Sequence, residues 1–484
     1  MAPVDPEMYS LAVLALVSFL LAFTLTPLCR SLFRRLGVSE HRDGIRRNHT
    51  VPVPRMGGLP LMLAYLGTFG VLPFLPMAAN QFGGTGFQMG LRLFPAAALV
   101  FFMGLVDDIR GLKPWQKLAC QIPAAAIAFW AGVAIKGVGG VGISAALSFP
   151  ITLLWLVGCA NAFNLIDGID GLAAGAGLFA TITILIGALL TDNVPLAIAT
   201  VPLAGALLGF LRYNFNPASI FLGDSGSLTI GFLLGCYGLL WTNKATTALG
   251  MTAPLMAFAL PLLDTAVAIA RRFLRRQPIM AGDSSHLHHR LLARGLTPRK
   301  AALILYAVCG VAASLSLLGS VAKDQYGGLI ILVFCAVAWI GVQHLGYVEF
   351  AVAGRMVAGG VFRKHLNNQL ALHSFEEALA AAATDDDRWL VICEACRGFG
   401  FSRAELRLNG RRFEENLANT NGDPVWNLEI PLAGDGHLRL ACCFGDARLP
   451  TVLAPFAESL HRRVCRDELG LSSSAQQHSS VAGV

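Results

Sequence analysis

VGISAALSFPITLLWLVGCANAFNLIDGIDGLAAGAGLFATITILIGALL, residues 141–190, is the stretch whose reading decides the fold. Two apolar runs, about 141–160 and 173–190, flank a polar segment, Asn161-Ala-Phe-Asn164-Leu-Ile-Asp167-Gly168-Ile-Asp170-Gly171-Leu172. Each run approaches the roughly 20 apolar residues that a helix needs to cross a bilayer, so the polar segment belongs at one membrane face. Its polar residues recur every three positions and are helical neighbours, yet a regular helix would turn Asp170 away from Asn161. The helix therefore has to tighten or break, and Gly168 and Gly171 permit that. The expected product is a short, backbone-rich loop where amides and carboxylates converge on metal and substrate.

Outward from this stretch, the same criterion marks eleven segments: about 8–29, 58–77, 91–106, 117–135, 141–160, 173–190, 194–211, 226–243, 250–271, 300–321 and 326–345. The expected fold is an all-α polytopic membrane protein with about 11 transmembrane helices. Composition agrees: of 484 residues, 55% are hydrophobic and 14% charged, against about 25% charged in an ordinary soluble protein, and mean hydropathy is +0.60. A purely soluble enzyme, a disordered chain and a fibrous protein are excluded. Asp5 and Glu7 precede the first apolar run with no Lys or Arg, the wrong polarity for a cleaved signal peptide, so that run is read as a transmembrane helix.

Charge divides the chain. Residues 1–345 carry 23 Lys and Arg against 13 Asp and Glu, whereas residues 346–484 carry 14 against 17. The expectation is a polytopic membrane domain over 1–345 and a cytoplasmic α/β accessory domain over 346–484 with a disordered, Ser/Gln/Gly-rich end. Loops after odd-numbered helices hold 19 basic residues, among them Arg30, Arg34, Arg35, Arg42, Arg46, Arg47, Arg55, Arg271, Arg272, Arg275 and Arg276; the opposite loops hold four, Arg92, Lys136, Lys244 and Lys323. Basic residues stay on the cytoplasmic side, which puts the amino terminus outside and the tail inside, in the plasma membrane. In the tail, helices are expected over 362–383, 386–396 and 452–469, and strands over 404–408, 426–432 and 437–444, with nothing catalytic. The eleven cysteines show no disulfide spacing. Cys393 and Cys396 with Cys442 and Cys443 have zinc-ligand chemistry, but an amphipathic helix and a buried strand are the better account of them.

Of the thirteen acidic residues in the body, Asp107, Asp108, Asp167, Asp170, Asp224 and Asp264 fall at or beside the cytoplasmic ends of helices. Asp107 and Asp108 end a helix, where the macrodipole is already negative, so a divalent cation or Lys113 or Lys117 must compensate. Phe221-Leu-Gly-Asp224-Ser-Gly-Ser227 opens a helix, whose free N–H groups favour anions beside a carboxylate that could hold a hard cation. The longest inner loop of the body, Arg271–Lys300, centres on His286-Leu-His288-His289-Arg290; without a fourth ligand nearby it reads as phosphate and sugar donors rather than a zinc site. Asp264 lies about 10 Å inside Arg271 along its helix, a depth at which a charge is paired or functional.

Taken together and in order, these strings resemble the polyprenyl-phosphate N-acetylhexosamine-1-phosphate transferase family across about residues 30–300. They are Pro52-Val-Pro-Arg55-Met-Gly57-Gly58, the Asp107-Asp108 string with Lys117, Asn161–Leu172, Phe221–Ser227 and His286–His289. Eleven spans, a cytoplasmic carboxyl terminus and His-x-His-His resemble the branch that uses UDP-N-acetylglucosamine; the MurNAc-pentapeptide enzyme has three consecutive histidines. The resemblance implies transfer of N-acetylglucosamine 1-phosphate to an undecaprenyl-type phosphate, giving a polyprenyl-pyrophosphoryl sugar and UMP at the start of cell-envelope glycan synthesis. It implies Mg²⁺, with Mn²⁺ as a substitute, held by Asp224 with Asn164. It implies Asp107, Asp108 and His288 as catalytic residues. Lys117, Asn161, Asp167, Asp170, Asn214, Phe221, His286, His289 and Arg290 fall to substrate binding, with Phe221 stacking on uracil. Ser39–His49 lacks the family's Asp-x-Pro, and the tail has no counterpart in the family core. Expected partners are the UDP-sugar, polyprenyl phosphate, membrane lipid and a second copy of the chain, with an unidentified ligand for the tail and no nucleic acid. The rivals are the same chemistry on UDP-MurNAc-pentapeptide or another UDP-N-acetylhexosamine, and, from another class, a secondary transporter, whose acids would sit nearer the bilayer midplane.

Overall fold

A computed structural model of the chain describes residues 6–36, 53–76, 85–138, 141–242, 252–274, 286–321, 324–344, 361–408, 410–417, 425–432, 436–443, 456–458 and 460. The expectations for Ser39–His49, Pro52, Arg275, Arg276, Lys244, Lys323 and the Ser-rich end lie outside these residues. The chain divides into two compact units, 1–347 and 348–484.

The first unit is helical. Its helices are α1 (Pro6–Arg35), α2 (Gly58–Thr68, extended by a 3-10 turn over Phe69–Phe74), α3 (Thr85–Arg110), α4 (Pro114–Trp130), α5 (Ala145–Ile166), α6 (Leu172–Leu190), α7 (Val194–Asn214), α8 (Gly223–Thr242), α9 (Thr252–Ala257), α10 (Ala259–Leu274), α11 (Leu287–Ala293), α12 (Pro298–Val321) and α13 (Asp324–His344). Each of the eleven expected segments overlaps a described helix, although 131–135 follow the end of α4 and 141–142 pair as a strand, and six of the described helices are long and apolar enough to cross a membrane: α1, α3 from Gln88, α5, α6, α7 and α12 to Gly319. The segment expected at 250–271 is not one helix, because it breaks at Phe258 between α9 and α10. The segment expected at 58–77 is a short helix that tightens to 3-10 geometry ahead of Pro73, which has no N–H to continue a ladder. A two-stranded ribbon, β1 (Gly137–Val138) with β2 (Val141–Gly142), joins α4 to α5.

Several buried polar side chains bond across the apolar packing. Ser18 of α1 donates to the Pro202 carbonyl of α7 at 2.5 Å, and Trp155 of α5 donates to the Gly235 carbonyl of α8 at 3.1 Å. Leu156, Phe163, Phe210, Leu228 and Phe232 are fully buried around these helices. Leu154, Phe102, Leu208 and Ile340 by contrast lie exposed on the helix surfaces, an apolar exterior that suits lipid rather than water.

The second unit pairs α14 (Val361–Ala381) and α15 (Asp385–Phe399) with four antiparallel strands: β3 (Arg403–Leu408), β4 (Arg411–Asn416), β5 (Val425–Pro431) and β6 (His437–Cys443), in the order β4-β3-β6-β5. A capping box starts α15, with Thr384 Oγ1 accepting from Asp387 N at 3.1 Å. Alternation sends Leu406, Leu438 and Leu440 inward, where they pack with Phe375, Phe399, Phe401 and Phe456. β4 was not expected, since RRFEEN offers one apolar residue; as an edge strand it shows charges to water and is held by its ladder to β3. Asn409-Gly410 before it is the hairpin signal that marks the strand. Cys393, Cys396 and Cys442 are buried, in or against this core. Burial and the neighbouring Glu415 carboxylate push the Cys393 thiol up to about 12, and among the described residues no group of three or more His, Cys, Asp or Glu could hold a metal. Of the helix expected over 452–469, residues 456–458 and 460 are described.

Candidate active site

Four chain segments meet at the start of α8. The extended backbone before α2 lies against the turn before α8: Gly57 N and Gly58 N donate to the carbonyls of Phe221 and Leu222 at 2.9 and 2.8 Å, and Phe221 N donates to Pro54 O at 2.8 Å. A Cβ at Gly58 would collide with Ser225 and Gly226, so the glycine pair is set by contact with the α8 start. Nothing in local periodicity marked this pairing, because the two strings are more than 150 residues apart.

The Asp107-Asp108 pair divides. At the end of α3, Asp108 turns to α8 and accepts from Asp224 N at 2.7 Å, Ser225 N at 3.1 Å and Ser225 Oγ at 2.5 Å. It is an N-terminal cap supplied from another helix, satisfying amides that the first turn leaves open. Asp107 accepts from Leu112 N at 2.5 Å through one oxygen and holds Lys117 Nζ at 2.5 Å with the other. Lys117, from the first turn of α4, also bonds Asp224 Oδ2. The three side chains are largely buried, with 8% of Asp107, 15% of Asp224 and 21% of Lys117 accessible, so the ammonium offsets two carboxylates that would otherwise repel in a poorly screened site.

Asn164, one turn before the end of α5, donates to Ser227 Oγ at 3.0 Å and reaches the Asp224 carboxylate. Carboxylate oxygens of Asp107 and Asp224 thus gather beside the Asn164 amide, where a positive charge already sits. This donor set fits a hard divalent cation, which prefers such oxygens and retains water or substrate oxygens for its remaining positions. Asn161, a turn earlier, donates instead to Gln121 Oε1 of α4 at 2.7 Å and to Val157 O at 2.8 Å, which places it in the α4–α5 packing.

The α5–α6 connection breaks the helix as expected, through turns over 167–171, with Asp167 closing α5. The two glycines differ in purpose. Gly171 takes φ 78°, which an L side chain rarely adopts. Gly168 has no such need; a Cβ there would strike the His288 imidazole. Asp170 Oδ2 accepts from Asn216 Nδ2 and Ala218 N, both at 2.9 Å, and so anchors the segment between α7 and α8. Asn214 is buried and donates to Ile220 O at 3.0 Å within that segment. Phe221 is half-buried at its end. Tyr306 of α12, which sequence reasoning did not single out, donates to the Gly171 carbonyl at 2.6 Å.

The histidine segment enters beside the α5–α6 turn. His286 caps the short helix α11, with its ring parallel to that of His288 at 5.9 Å, and His288 lies 4.2 Å from His289. His286 and His288 are buried, while His289 and Arg290 are half-buried. Asp264 of α10 lies 3.0 Å from His286 Nδ1 through Oδ2 and accepts from Leu287 N at 2.8 Å through Oδ1. Bonds or close packing therefore link five motifs: 54–58 to 221–226, Asp108 and Asn164 to α8, Asp170 to Asn216, and Gly168 to His288.

Residues 91–242 match the model of glycosyl transferase family 4. The chain is 33% identical over 309 residues to the probable undecaprenyl-phosphate N-acetylglucosaminyl 1-phosphate transferase of Bacillus subtilis, covering 63% of this chain and 83% of the relative. It is 37% identical over 331 residues to the decaprenyl-phosphate N-acetylglucosaminephosphotransferase of Mycobacterium tuberculosis, covering 63% and 81%. It is 33% identical over 252 residues to the phospho-N-acetylmuramoyl-pentapeptide-transferase of Limosilactobacillus reuteri, covering 46% and 73%.

Proposed function

The chain belongs to the polyprenyl-phosphate N-acetylhexosamine-1-phosphate transferase family, and from that premise we propose that it transfers N-acetylglucosamine 1-phosphate from UDP-N-acetylglucosamine to an undecaprenyl-type phosphate. The products are polyprenyl-pyrophosphoryl-N-acetylglucosamine and UMP, at the start of cell-envelope glycan synthesis. The proposal includes the eleven spans, an external amino terminus and an active site on the cytoplasmic face of the plasma membrane. That is where nucleotide sugars and a lipid headgroup meet. The observation that carries it is Lys117 held between Asp107 and Asp224 at the mouth of α8.

The chemistry needs positioning and charge neutralisation more than covalent participation. An oxygen of the lipid phosphate attacks the β-phosphorus, the bond from that phosphorus to the bridging oxygen breaks, and UMP leaves with the oxygen. One pyrophosphate replaces another, so the step is close to thermoneutral. Asp107 takes the proton from a protonated lipid phosphate; Asp108, with three hydrogen bonds to the α8 start, holds α8 in place. Lys117 neutralises phosphoryl oxygens. A divalent cation, Mg²⁺ or Mn²⁺, held by Asp224 with Asn164 would supply further neutralisation of the pyrophosphate. His286, His288, His289 and Arg290 face the sugar and pyrophosphate, and Asp170 and Asn214 brace the segment that carries Phe221 against the uracil.

Lipid-phosphate-dependent UMP release from a panel of UDP-sugars tests the reading. UDP-N-acetylglucosamine is the expected substrate; preference for UDP-MurNAc-pentapeptide would favour the reading that the Limosilactobacillus relative raises, and a requirement for an ion gradient would favour a transporter. Asp224→Asn lowers turnover about 10²- to 10³-fold while the protein still inserts, and unchanged turnover would overturn the site.

A further inference from the structure

Asp264 stands apart from the transfer centre, yet its carboxylate is among the most buried charged groups of the unit, at 1% accessibility. A charge removed from water to that degree is retained only with compensating partners. Both partners belong to a single step of the chain: Oδ2 faces His286 Nδ1 at 3.0 Å and Oδ1 accepts from Leu287 N at 2.8 Å. An apolar residue would serve the packing of α10 better than a carboxylate. What the carboxylate adds is direction, because an imidazole whose Nδ1–H is bound by a carboxylate presents Nε2 on its far side.

We propose that Asp264 is a positioning residue for the histidine segment: it fixes the Nδ1–H form of His286 and the rotation of its ring, so that Nε2 is aimed at the phosphorylated sugar. The proposal rests on the transferase reading. Orientation passes onward. His286 is parallel to His288 within 4°, and His288 lies against Gly168, where no Cβ could fit. The second hydrogen bond, to Leu287 N, sets where α11 begins and with it the backbone from which His288, His289 and Arg290 project.

Asp264→Asn is nearly isosteric and separates orientation from packing. Its amide oxygen can still accept from Leu287 N, but its NH₂ would donate to His286 Nδ1 and drive the imidazole to the Nε2–H form. In full-length protein labelled with ¹⁵N-histidine and held in lipid nanodiscs, with the His286 signal identified by its loss in His286→Ala, the expected result is Nδ1–H in the parent and Nε2–H in Asp264→Asn. The variant should lose about 10- to 100-fold in kcat for UMP release from UDP-N-acetylglucosamine, with KM changed less than about threefold. Asp264→Asn combined with His286→Ala should be no slower than His286→Ala alone. An unchanged tautomer, an unchanged kcat, or losses that multiply in the double variant would each overturn the proposal. If Asp264→Asn fails to insert, Asp264→Glu carries the test, with Nδ1–H kept and kcat reduced; parent-like kcat there would also overturn it. Absence of UMP release by the parent would sink the transferase reading alone, since the tautomer is read without turnover.

Discussion

The two units treat charge in opposite ways. In the helical unit, Asp107, Asp108, Lys117, Asp224 and Asp264 are buried or largely buried, and each carboxylate is bonded to a group from another helix or loop. In the second unit, no charged side chain among the described residues is as deeply buried as Asp264. Its sheet carries a ladder of pairs in which Arg412, Arg439 and Glu429 are exposed and Glu405, 13% accessible, is sheltered between its two arginines: Arg412 Nε to Glu405 Oε1 at 2.8 Å, Arg439 to Glu405 at 3.9 Å and Arg439 to Glu429 at 2.8 Å. Removing an ion from water costs several kcal/mol unless its partners are well placed, whereas a pair on the surface contributes about 0–1 kcal/mol. Charge that is incidental to the fold migrates to the surface. The helical unit exposes charges too, Arg110 and Lys136 among them, but holds Asp107, Asp108, Lys117 and Asp224 together out of bulk water.

The contrast can be broken most severely at Lys117. Lys117→Met leaves Asp107 and Asp224 facing each other without a cation from the chain, and UMP release should fall about 10²- to 10³-fold; near-normal turnover would mean that the buried triad is structural. Gly168→Ala is next. The added methyl displaces His288 without touching a charge, and an imidazole moved by about 1 Å should cost up to about 10²-fold in kcat with insertion unchanged. A variant as active as the parent would detach the histidine segment from the site. On the other side, Arg412→Ala removes one member of the exposed ladder. It should alter stability by less than about 1 kcal/mol and leave UMP release unchanged, as thermal unfolding and the same assay can show; a large loss would give the sheet face a role that its exposure does not suggest. Finally, Cys393, with its thiol pushed up to about 12 by burial and Glu415, stays protonated at pH 8. It should resist maleimide in the folded chain and label once denatured, where its ordinary value returns.

Much of this was legible without coordinates, for identifiable reasons. The apolar runs are long, so each of the eleven segments overlaps a described helix. A polar residue between such runs has few explanations, which is why Asn164, Asp224 and His288 stood out. The failures lie where local pattern is silent. β4 has one apolar residue and owes its existence to pairing with β3, the apolar run over 250–271 hides the break at Phe258 although Pro261 cannot donate to the Ala257 carbonyl, and Asn161 points to Gln121 of another helix.

What sequence alone determined is which groups are present and that they cluster at helix ends, because hydropathy and spacing are properties of short stretches. Only tertiary structure decided what each group does. It gave Asp108 to the amides of α8 and Asp107 to Lys117, although the two are adjacent in the chain. It also assigned Gly168 to a close approach and Gly171 to a backbone angle, although both read alike as glycines in a loop. A hydrogen bond acts over about 3 Å and depends on direction, so partners more than 100 residues apart are selected by how helices pack, which no local pattern encodes.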